Sequence, residues 1–209
     1  IAVNSGLTNN HICAFTVKDT NIFVGTGGEV FISADNGTTW GLANYGLPVG
    51  YIKSFVVKDT ILFTVNFYGL YYSTDNGLSW FNSTPPPTGV ISALEVYANN
   101  LIAVSFDGFM GISDTDVLLS TDNGLSWSII NSGFTQLEIS QIISKDSILF
   151  AGTKGWAYNE PWGGVFRSAD GCFSWSGVNH GLANTDVIFL ALRDSMLFAN
   201  VWRFDMVMG

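Results

Sequence analysis

Short apolar runs separated by Gly, Asn and Asp residues follow one another along the whole chain. In one typical stretch the runs cover residues 51–58, 61–67, 69–74 and 78–82. Runs that are rich in β-branched and aromatic residues and bounded by turn-forming residues are typical of β-strands. The pattern therefore predicts an all-β chain with four short antiparallel strands in each unit of about 40–45 residues.

The turns of this unit also recur along the chain. The turn after the first strand opens with a cation followed by Asp, at Lys18, Lys58, Lys145 and Arg193, and it becomes Asn99-Asn100 in the third unit. The end of the fourth strand carries an Asn-x-Gly pattern, at Asn4, Asn44, Asn131 and Asn179. Repeated four-stranded units of this length predict the blades of a β-propeller.

An eight-residue motif marks the turn between the third and fourth strands of every complete unit, with spacings of 40, 47 and 48 residues. Its recurring residues are Ser33, Asp35, Gly37 and Trp40; Ser73, Asp75, Gly77 and Trp80; Ser120, Asp122, Gly124 and Trp127; and Ser168, Asp170 and Trp175. Asp accepts backbone N–H bonds inside tight turns, Gly permits a positive φ, and Trp fills apolar space. We expect these residues to have structural roles.

The fourth copy departs from this pattern, because Gly171-Cys172 stands where the other copies have Asn-Gly. A cysteine at the position that favours glycine predicts a reshaped turn.

The motif resembles the Asp-box, or BNR repeat, of sialidase-like β-propellers. The whole chain looks most like bacterial secreted Asp-box proteins, including those similar to photosystem II assembly factors. This resemblance implies an all-β propeller built from four-stranded antiparallel blades with Asp-box turns. It says little about the role of the protein, since the same box occurs in hydrolases, receptors and assembly factors.

The repeat predicts four complete blades, at residues 8–47, 48–88, 89–134 and 135–182, with partial blades at 1–7 and 183–209. Two interpretations follow from the incomplete blades. Either the chain is a piece of a longer protein, or copies of it associate through these blades and cover the open sheet edges.

Composition narrows the function classes. Only 12% of the 209 residues are charged, against about 25% in an average domain. The net charge of −9 disfavours nucleic acid, and no apolar run is long enough to span a membrane. Two cysteines do not make a disulfide framework. We expect no cofactor and no metal.

Strand order predicts where a ligand site lies. In an antiparallel blade the loops after strands two and four lie on the face opposite the Asp boxes, and in sialidase-like propellers this face holds the ligand. Two such loops are enlarged, at residues 105–116 and 154–164. Long loops on a rigid scaffold often carry function.

The first enlarged loop contains Asp107, Asp114 and Asp116. Clustered carboxylates could bind calcium or act as acid and base, and a solvated polar loop has the same composition. The second contains Trp156, Tyr158, Glu160 and Trp162. These aromatic residues could stack on sugar rings, anchor a protein partner, or pack on one another. By contrast, His11 and His180 are expected to be ordinary surface residues.

The sequence favours a noncatalytic binding or structural propeller of an exported, periplasmic or cell-surface protein, with a protein or carbohydrate partner. The alternative is a glycoside hydrolase that uses a pair of carboxylates. A sialidase is disfavoured, because its three substrate-clamping arginines cannot be assembled from the three present, Arg167, Arg193 and Arg203.

Overall fold

The computed structural model describes residues 4–83, 89–107, 114–130, 137–155, 163–182 and 186–201. These residues form four four-stranded antiparallel sheets and one two-stranded sheet. The strands are β1 (Ile12–Lys18), β2 (Asn21–Thr26), β3 (Val30–Ser33), β4 (Gly41–Leu42), β5 (Ser54–Lys58), β6 (Ile61–Asn66), β7 (Gly69–Ser73), β8 (Phe81–Asn82), β9 (Val90–Tyr97), β10 (Asn100–Asp107), β11 (Asp114–Ser120), β12 (Ser128–Ile129), β13 (Leu137–Lys145), β14 (Ile148–Gly155), β15 (Gly164–Ser168), β16 (Ser176–Gly177), β17 (Val187–Arg193) and β18 (Met196–Val201).

Each sheet has its strands side by side in chain order, so we number the sheets as blades 1 to 4, followed by the last sheet, β17–β18. The first strands of successive sheets, β1, β5, β9, β13 and β17, contact one another in that order. This succession is the arrangement of propeller blades around an axis. The predicted all-β propeller is therefore confirmed.

The hairpins that join first and second strands require unusual backbone angles. Asp19, Asp59, Asp146 and Asp194 all have a positive φ between 53° and 56°, and Asn99 has a φ of 61°. Asp and Asn tolerate this left-handed region better than other non-glycine residues because their short side chains bond the local backbone. This requirement explains why Asp follows the first strand in four of the five hairpins. In the third hairpin Ala98 takes this position with a φ of 47°, and Asn99 follows it.

Apolar side chains of the first strand of each blade pack against the preceding blade, and this contact holds successive blades together. Ile52 and Phe55, at the start of blade 2, are buried against Phe23 and Val30 of blade 1. A Cβ atom at Gly25 would lie 2.3 Å from Ile52 Cγ2, so the absent side chain leaves the room that Ile52 occupies. The core is therefore a series of layers between the blades.

Each Asp box is a turn closed by its own Ser and Asp. In the second box, Ser73 Oγ donates to Asp75 Oδ1 and accepts from the Gly77 N–H, both at 2.8 Å. Asp75 also accepts bonds from the backbone and the hydroxyl of Ser79. Equivalent bonds around Asp35 and Asp122 lower the pKa of each carboxyl to about 2, with the bond from the following Thr39 or Ser126 hydroxyl as the largest cause.

The prediction of a reshaped fourth box is wrong. Cys172 adopts a φ of 77°, close to the values of the glycines that it replaces, and its N–H still donates to Ser168 Oγ at 3.0 Å. Asp170 keeps its bonds to the backbone and the hydroxyl of Ser174. The hydrogen bonds of Ser168 and Asp170 fix the conformation of the turn, and they keep Cys172 at its strained φ.

A second contact ties the second and third boxes to the blade before each of them. Lys18 Nζ donates to Asn76 Oδ1 of the next box, and Lys58 Nζ donates in the same way to Asn123 Oδ1, each at 2.5 Å. Between blades 3 and 4 both residues of this pair are replaced by residues of other types. Tyr97 stands in the place of the lysine, and its ring lies beside Gly171, which stands in the place of the asparagine.

Candidate functional site

The two ends of the propeller carry different features. Lys18 closes β1 and reaches a box of the next blade, so the last residues of the first strands lie on the face that carries the boxes. We call it the box face. The first residues of β1, β5, β9, β13 and β17 lie at the opposite end, which we call the loop face.

A cavity of about 660 Å³ lies along the axis, between the first strands of all five sheets. Its wall includes Cys13, Lys53, Glu95, Gln141 and Phe189, one from each sheet. Sites for small ligands commonly have volumes of about 300–1,000 Å³ and a few polar groups in an apolar wall. The cavity has both properties.

A row of aromatic side chains lies beside this cavity on the loop face. The ring centroids of His11 and Tyr51 are 6.3 Å apart, and those of Tyr51 and Phe67 are 6.2 Å apart. Phe67 is 60% exposed, and its neighbour Tyr68 is exposed as well. We call His11, Tyr51, Phe67 and Tyr68 the aromatic row. Apolar ring faces that remain open to solvent beside a cavity are typical of a binding surface.

One cation, the ammonium group of Lys53, lies against the aromatic row. Lys53 Nζ lies 4.5 Å from the centre of the Phe67 ring and donates to the Ile91 carbonyl at 3.2 Å. Burial lowers the pKa of Lys53, and the carboxylate of Glu138 acts in the opposite direction. Glu138 itself pairs with Lys154 at 3.5 Å. The loop face therefore offers both a cation and a paired carboxylate near exposed rings.

Cys13 links the aromatic row to the cavity wall. Its Sγ lies 3.3 Å from His11 Nδ1, and a hydrogen bond with Cys13 is the main cause that raises the pKa of Tyr51. Both cysteines are free thiols, in agreement with the absence of a predicted disulfide framework. Cys13 therefore lies beside His11 and lines the cavity together with Tyr51.

Deeper in the cavity, Glu95 on β9 carries the most perturbed carboxyl of the described residues. Burial raises its pKa from 4.5 to about 7, although Ser144 opposes the shift by donating from its hydroxyl at 2.7 Å and from its backbone at 3.2 Å. A carboxyl with this pKa changes charge near neutral pH. Sequence reasoning gave no signal for it, because its burial depends on how blades 3 and 4 pack.

The residues predicted from the enlarged loops are placed only in part. Trp156, Tyr158, Glu160 and Trp162 lie outside the described residues. The first loop is shorter than predicted, since β10 continues to Asp107 and β11 begins at Asp114. Asp116 is therefore a half-buried strand residue paired with Ser105, and the structure describes the backbone of the other two aspartates only.

No sequence pattern indicates the aromatic row as a whole. His11, which is expected to be a surface residue, is exposed and lies beside Tyr51. The members of the row come from three different turns, which the blade packing brings together. One partial signal is available. Phe67 and Tyr68 form a hairpin after a second strand, on the face already predicted to hold the ligand.

The described residues contain neither an arginine clamp nor a metal centre. Arg193 is exposed on the box face beside Asp194, Arg167 lies within β15, and Arg203 is outside the described residues. In the same part of the chain, no three His, Cys, Asp or Glu residues could share a metal ion. None of the described segments is a helix long and apolar enough to cross a membrane.

Comparisons with known proteins agree with this architecture. Residues 71–81 match the family described as BNR/Asp-box repeat. No curated protein matches the chain. The family match covers the second of the four boxes, and the arrangement of the five sheets shows the fold of a β-propeller.

Solved structures with the same fold differ in role. The computationally designed Ika8 protein is 14% identical, with a TM-score of 0.60, and the match covers 91% of this chain and 55% of that one. The GH74 xyloglucanase from Xanthomonas campestris is 14% identical, with a TM-score of 0.58, over 80% of this chain and 29% of the enzyme.

A third structure is the extracellular domain of a B. thetaiotaomicron protein described as a one component system. It is 10% identical, with a TM-score of 0.68, over 91% of this chain and 26% of that one. The chain thus spans about half of the designed protein and less than a third of the two natural ones. At these identities the similarity shows the fold alone.

Proposed function

We propose that this protein is a noncatalytic binding module of an exported or cell-surface protein, and that it takes a carbohydrate on its loop face. The observation that carries the proposal is the aromatic row beside the axial cavity, with Phe67 60% exposed. Aromatic faces are large, rigid apolar surfaces on which the C–H face of a sugar ring packs, while polar groups at the edge bond its hydroxyls.

Two further observations support binding over bond cleavage. Glu138 is paired with Lys154, and Glu95 accepts two bonds from Ser144. Both carboxyls are therefore engaged by neighbouring groups. The extracellular B. thetaiotaomicron domain with the same fold supports a location outside the cytoplasm.

The test is a calorimetric titration of the intact chain with xyloglucan oligosaccharides, a probe suggested by the substrate named for the X. campestris enzyme. We expect binding that Tyr51→Ala and Phe67→Ala each weaken by about 3–10-fold, as expected for the loss of one aromatic contact. Leu125→Ala is the matched control, because Leu125 is an exposed apolar residue in a box on the other face. Equal affinities for all four proteins would contradict the proposal.

A glycoside hydrolase is the second candidate, favoured by the GH74 similarity and by Glu95, whose pKa of about 7 suits a general acid. Incubation with xyloglucan would then release reducing ends, and Glu95→Gln would abolish the release. Binding without any release of reducing ends supports the noncatalytic module. Release that Glu95→Gln leaves unchanged would exclude Glu95 as the acid.

A further inference from the structure

Four of the five first strands contain a β-bulge close to their start. In β1, β9, β13 and β17 the pairing with the second strand shifts by one residue, and the extra residues are Cys13, Ser92, Ser140 and Ile188. A β-bulge changes the direction of a side chain and is often found next to a functional site. All four of these residues line the axial cavity.

Blade 2 has a lysine at the same place. The extra residues of blades 1, 3 and 4 each follow an isoleucine, and in blade 2 the equivalent isoleucine, Ile52, is followed by Lys53. The side chain of Lys53 lines the cavity as the other four do. Because the other sheets have neutral residues here, the fold does not require a charge at this position.

The ammonium group of Lys53 has no counterion in the part of the chain that the structure describes. Its contacts are the carbonyl of Ile91 at 3.2 Å and the ring of Phe67, whose centre is 4.5 Å away. Glu138 acts on this charge electrostatically, but its carboxylate pairs with Lys154 at 3.5 Å. Partial burial of a cation is unfavourable when no anion accompanies it. The cavity wall therefore favours a ligand that brings a negative charge.

The surroundings of Lys53 indicate which anion fits. Lys53 supplies one positive charge, and the carboxylate of Glu138 disfavours any further negative charge close to it. A carboxylate, with a single negative charge, therefore fits better than a phosphate group, which carries nearly two. Lys53 also lies against the ring of Phe67, which is 60% exposed. An anion on Lys53 thus belongs to a ligand that packs on the aromatic row.

We propose that the preferred ligand of the loop face is an acidic sugar, in which the carboxylate of a uronic acid pairs with Lys53 while the sugar ring packs on the aromatic row. This inference rests on the proposed function, because it concerns the same carbohydrate site. The ammonium group donates hydrogen bonds to the carboxylate, and such charge-assisted bonds are stronger than neutral ones. A neutral sugar makes the same ring contacts but leaves the ammonium group without a counterion.

The experiment compares two oligosaccharides that differ only in their carboxylates. One is a cello-oligosaccharide, and the other has the same length and linkage, with each C6 hydroxymethyl group oxidised to a carboxylate. Calorimetric titration of the intact chain should give an affinity about 10-fold higher for the oxidised sugar, as expected for a hydrogen bond between charged groups. Lys53→Met should lose this preference and still bind the neutral sugar, which also verifies that the variant is folded.

Two further variants are the controls. Lys53→Arg keeps a cation at the site and should keep the preference for the oxidised sugar. Lys145→Met removes an equal charge at the end of β13, on the box face, and should bind both sugars as the parent does.

Failure of this inference is distinguishable from failure of the proposed function. Equal affinities of the parent for the two sugars, or a preference that persists in Lys53→Met, would overturn the acidic-sugar proposal and leave the carbohydrate site standing. If the parent binds neither sugar, the proposed function fails together with the inference.

Discussion

At the scale of single residues, the protein depends on polar side chains that satisfy the backbone of tight turns. Ser73 is fully buried, and its hydroxyl is both a donor to Asp75 and an acceptor for the Gly77 N–H. The same bonds recur in the other three boxes, including the one that contains Cys172. The recurrence of Ser and Asp therefore has a local cause that does not require a ligand.

Ser73→Ala is expected to lower the free energy of unfolding by about 1–3 kcal/mol, because it leaves the buried Gly77 N–H without its acceptor. Urea denaturation measures the change. Thr74→Ala is the matched control, since Thr74 is exposed in the same box, and it should cost less than about 0.5 kcal/mol. Equal costs for the two variants would mean that the buried bond does not stabilise the turn.

Glu95 should make the stability depend on pH. Its folded pKa of about 7 exceeds the ordinary value of 4.5, so between these values the folded chain binds more protons than the unfolded chain. Stability must then fall as pH rises from about 4.5 to 7, by at most about 3 kcal/mol. Glu95→Gln keeps an acceptor for Ser144 but cannot ionise, and should remove this dependence.

Urea denaturation of the parent and Glu95→Gln at pH 5 and pH 8 measures the effect. Asp35 and Asp122 do not affect this comparison. Their pKa values are lowered to about 2 in the folded chain, so the stability that they contribute is lost only when the pH falls below about 3.8. Glu138→Gln serves as a control for the removal of a carboxylate. If parent and Glu95→Gln lose the same stability between the two pH values, Glu95 does not cause the dependence.

At the scale of elements, neighbouring blades are matched pair by pair. Lys18 with Asn76 and Lys58 with Asn123 are hydrogen-bonded pairs, whereas Tyr97 and Gly171 form a contact of a different kind at the same place. The Cβ that Gly171 lacks would lie 3.7 Å from the Tyr97 ring. Because both residues differ together at this contact, we infer that the fold requires a matched pair of residues between two blades.

A double-mutant cycle tests this matching. Tyr97→Lys and Gly171→Asn should each lower the unfolding free energy, and the double variant should lose less than the sum of the two by about 1 kcal/mol, since it restores the Lys–Asn pair. Asn tolerates the positive φ of 75° at this position. Urea midpoints give the three values, and strictly additive losses would show that the two residues act independently.

At the scale of the whole molecule, binding to the folded propeller should raise its thermal stability. A ligand that binds the folded chain and not the unfolded chain raises the melting temperature by mass action. Scanning calorimetry of the parent should show a rise when xyloglucan oligosaccharides are added, and Phe67→Ala should show a smaller rise at the same concentration. A parent melting temperature that the oligosaccharides leave unchanged would argue against binding.

The repeat made the fold predictable from sequence, because most of its turns need a positive φ or local hydrogen bonds that Asp, Asn or Gly supplies best. Ala98 and Cys172 are exceptions, with φ values of 47° and 77°. The hairpins at Asp19 and Asp59 need a positive φ, and the boxes need a Ser and an Asp in register. For the candidate site, the sequence predicted only the face of the propeller on which it lies. The order of strands places the loops after strands two and four opposite the boxes, but it does not indicate which side chains meet there.

By itself, the sequence determined the all-β class, the four blades and the position of the boxes, since these follow from local patterns repeated at a fixed spacing. Only the tertiary structure brought His11, Tyr51 and Phe67 into one row, because they come from different turns. It also decided the burial of Glu95. That burial depends on how blades 3 and 4 pack against each other, which no local pattern records.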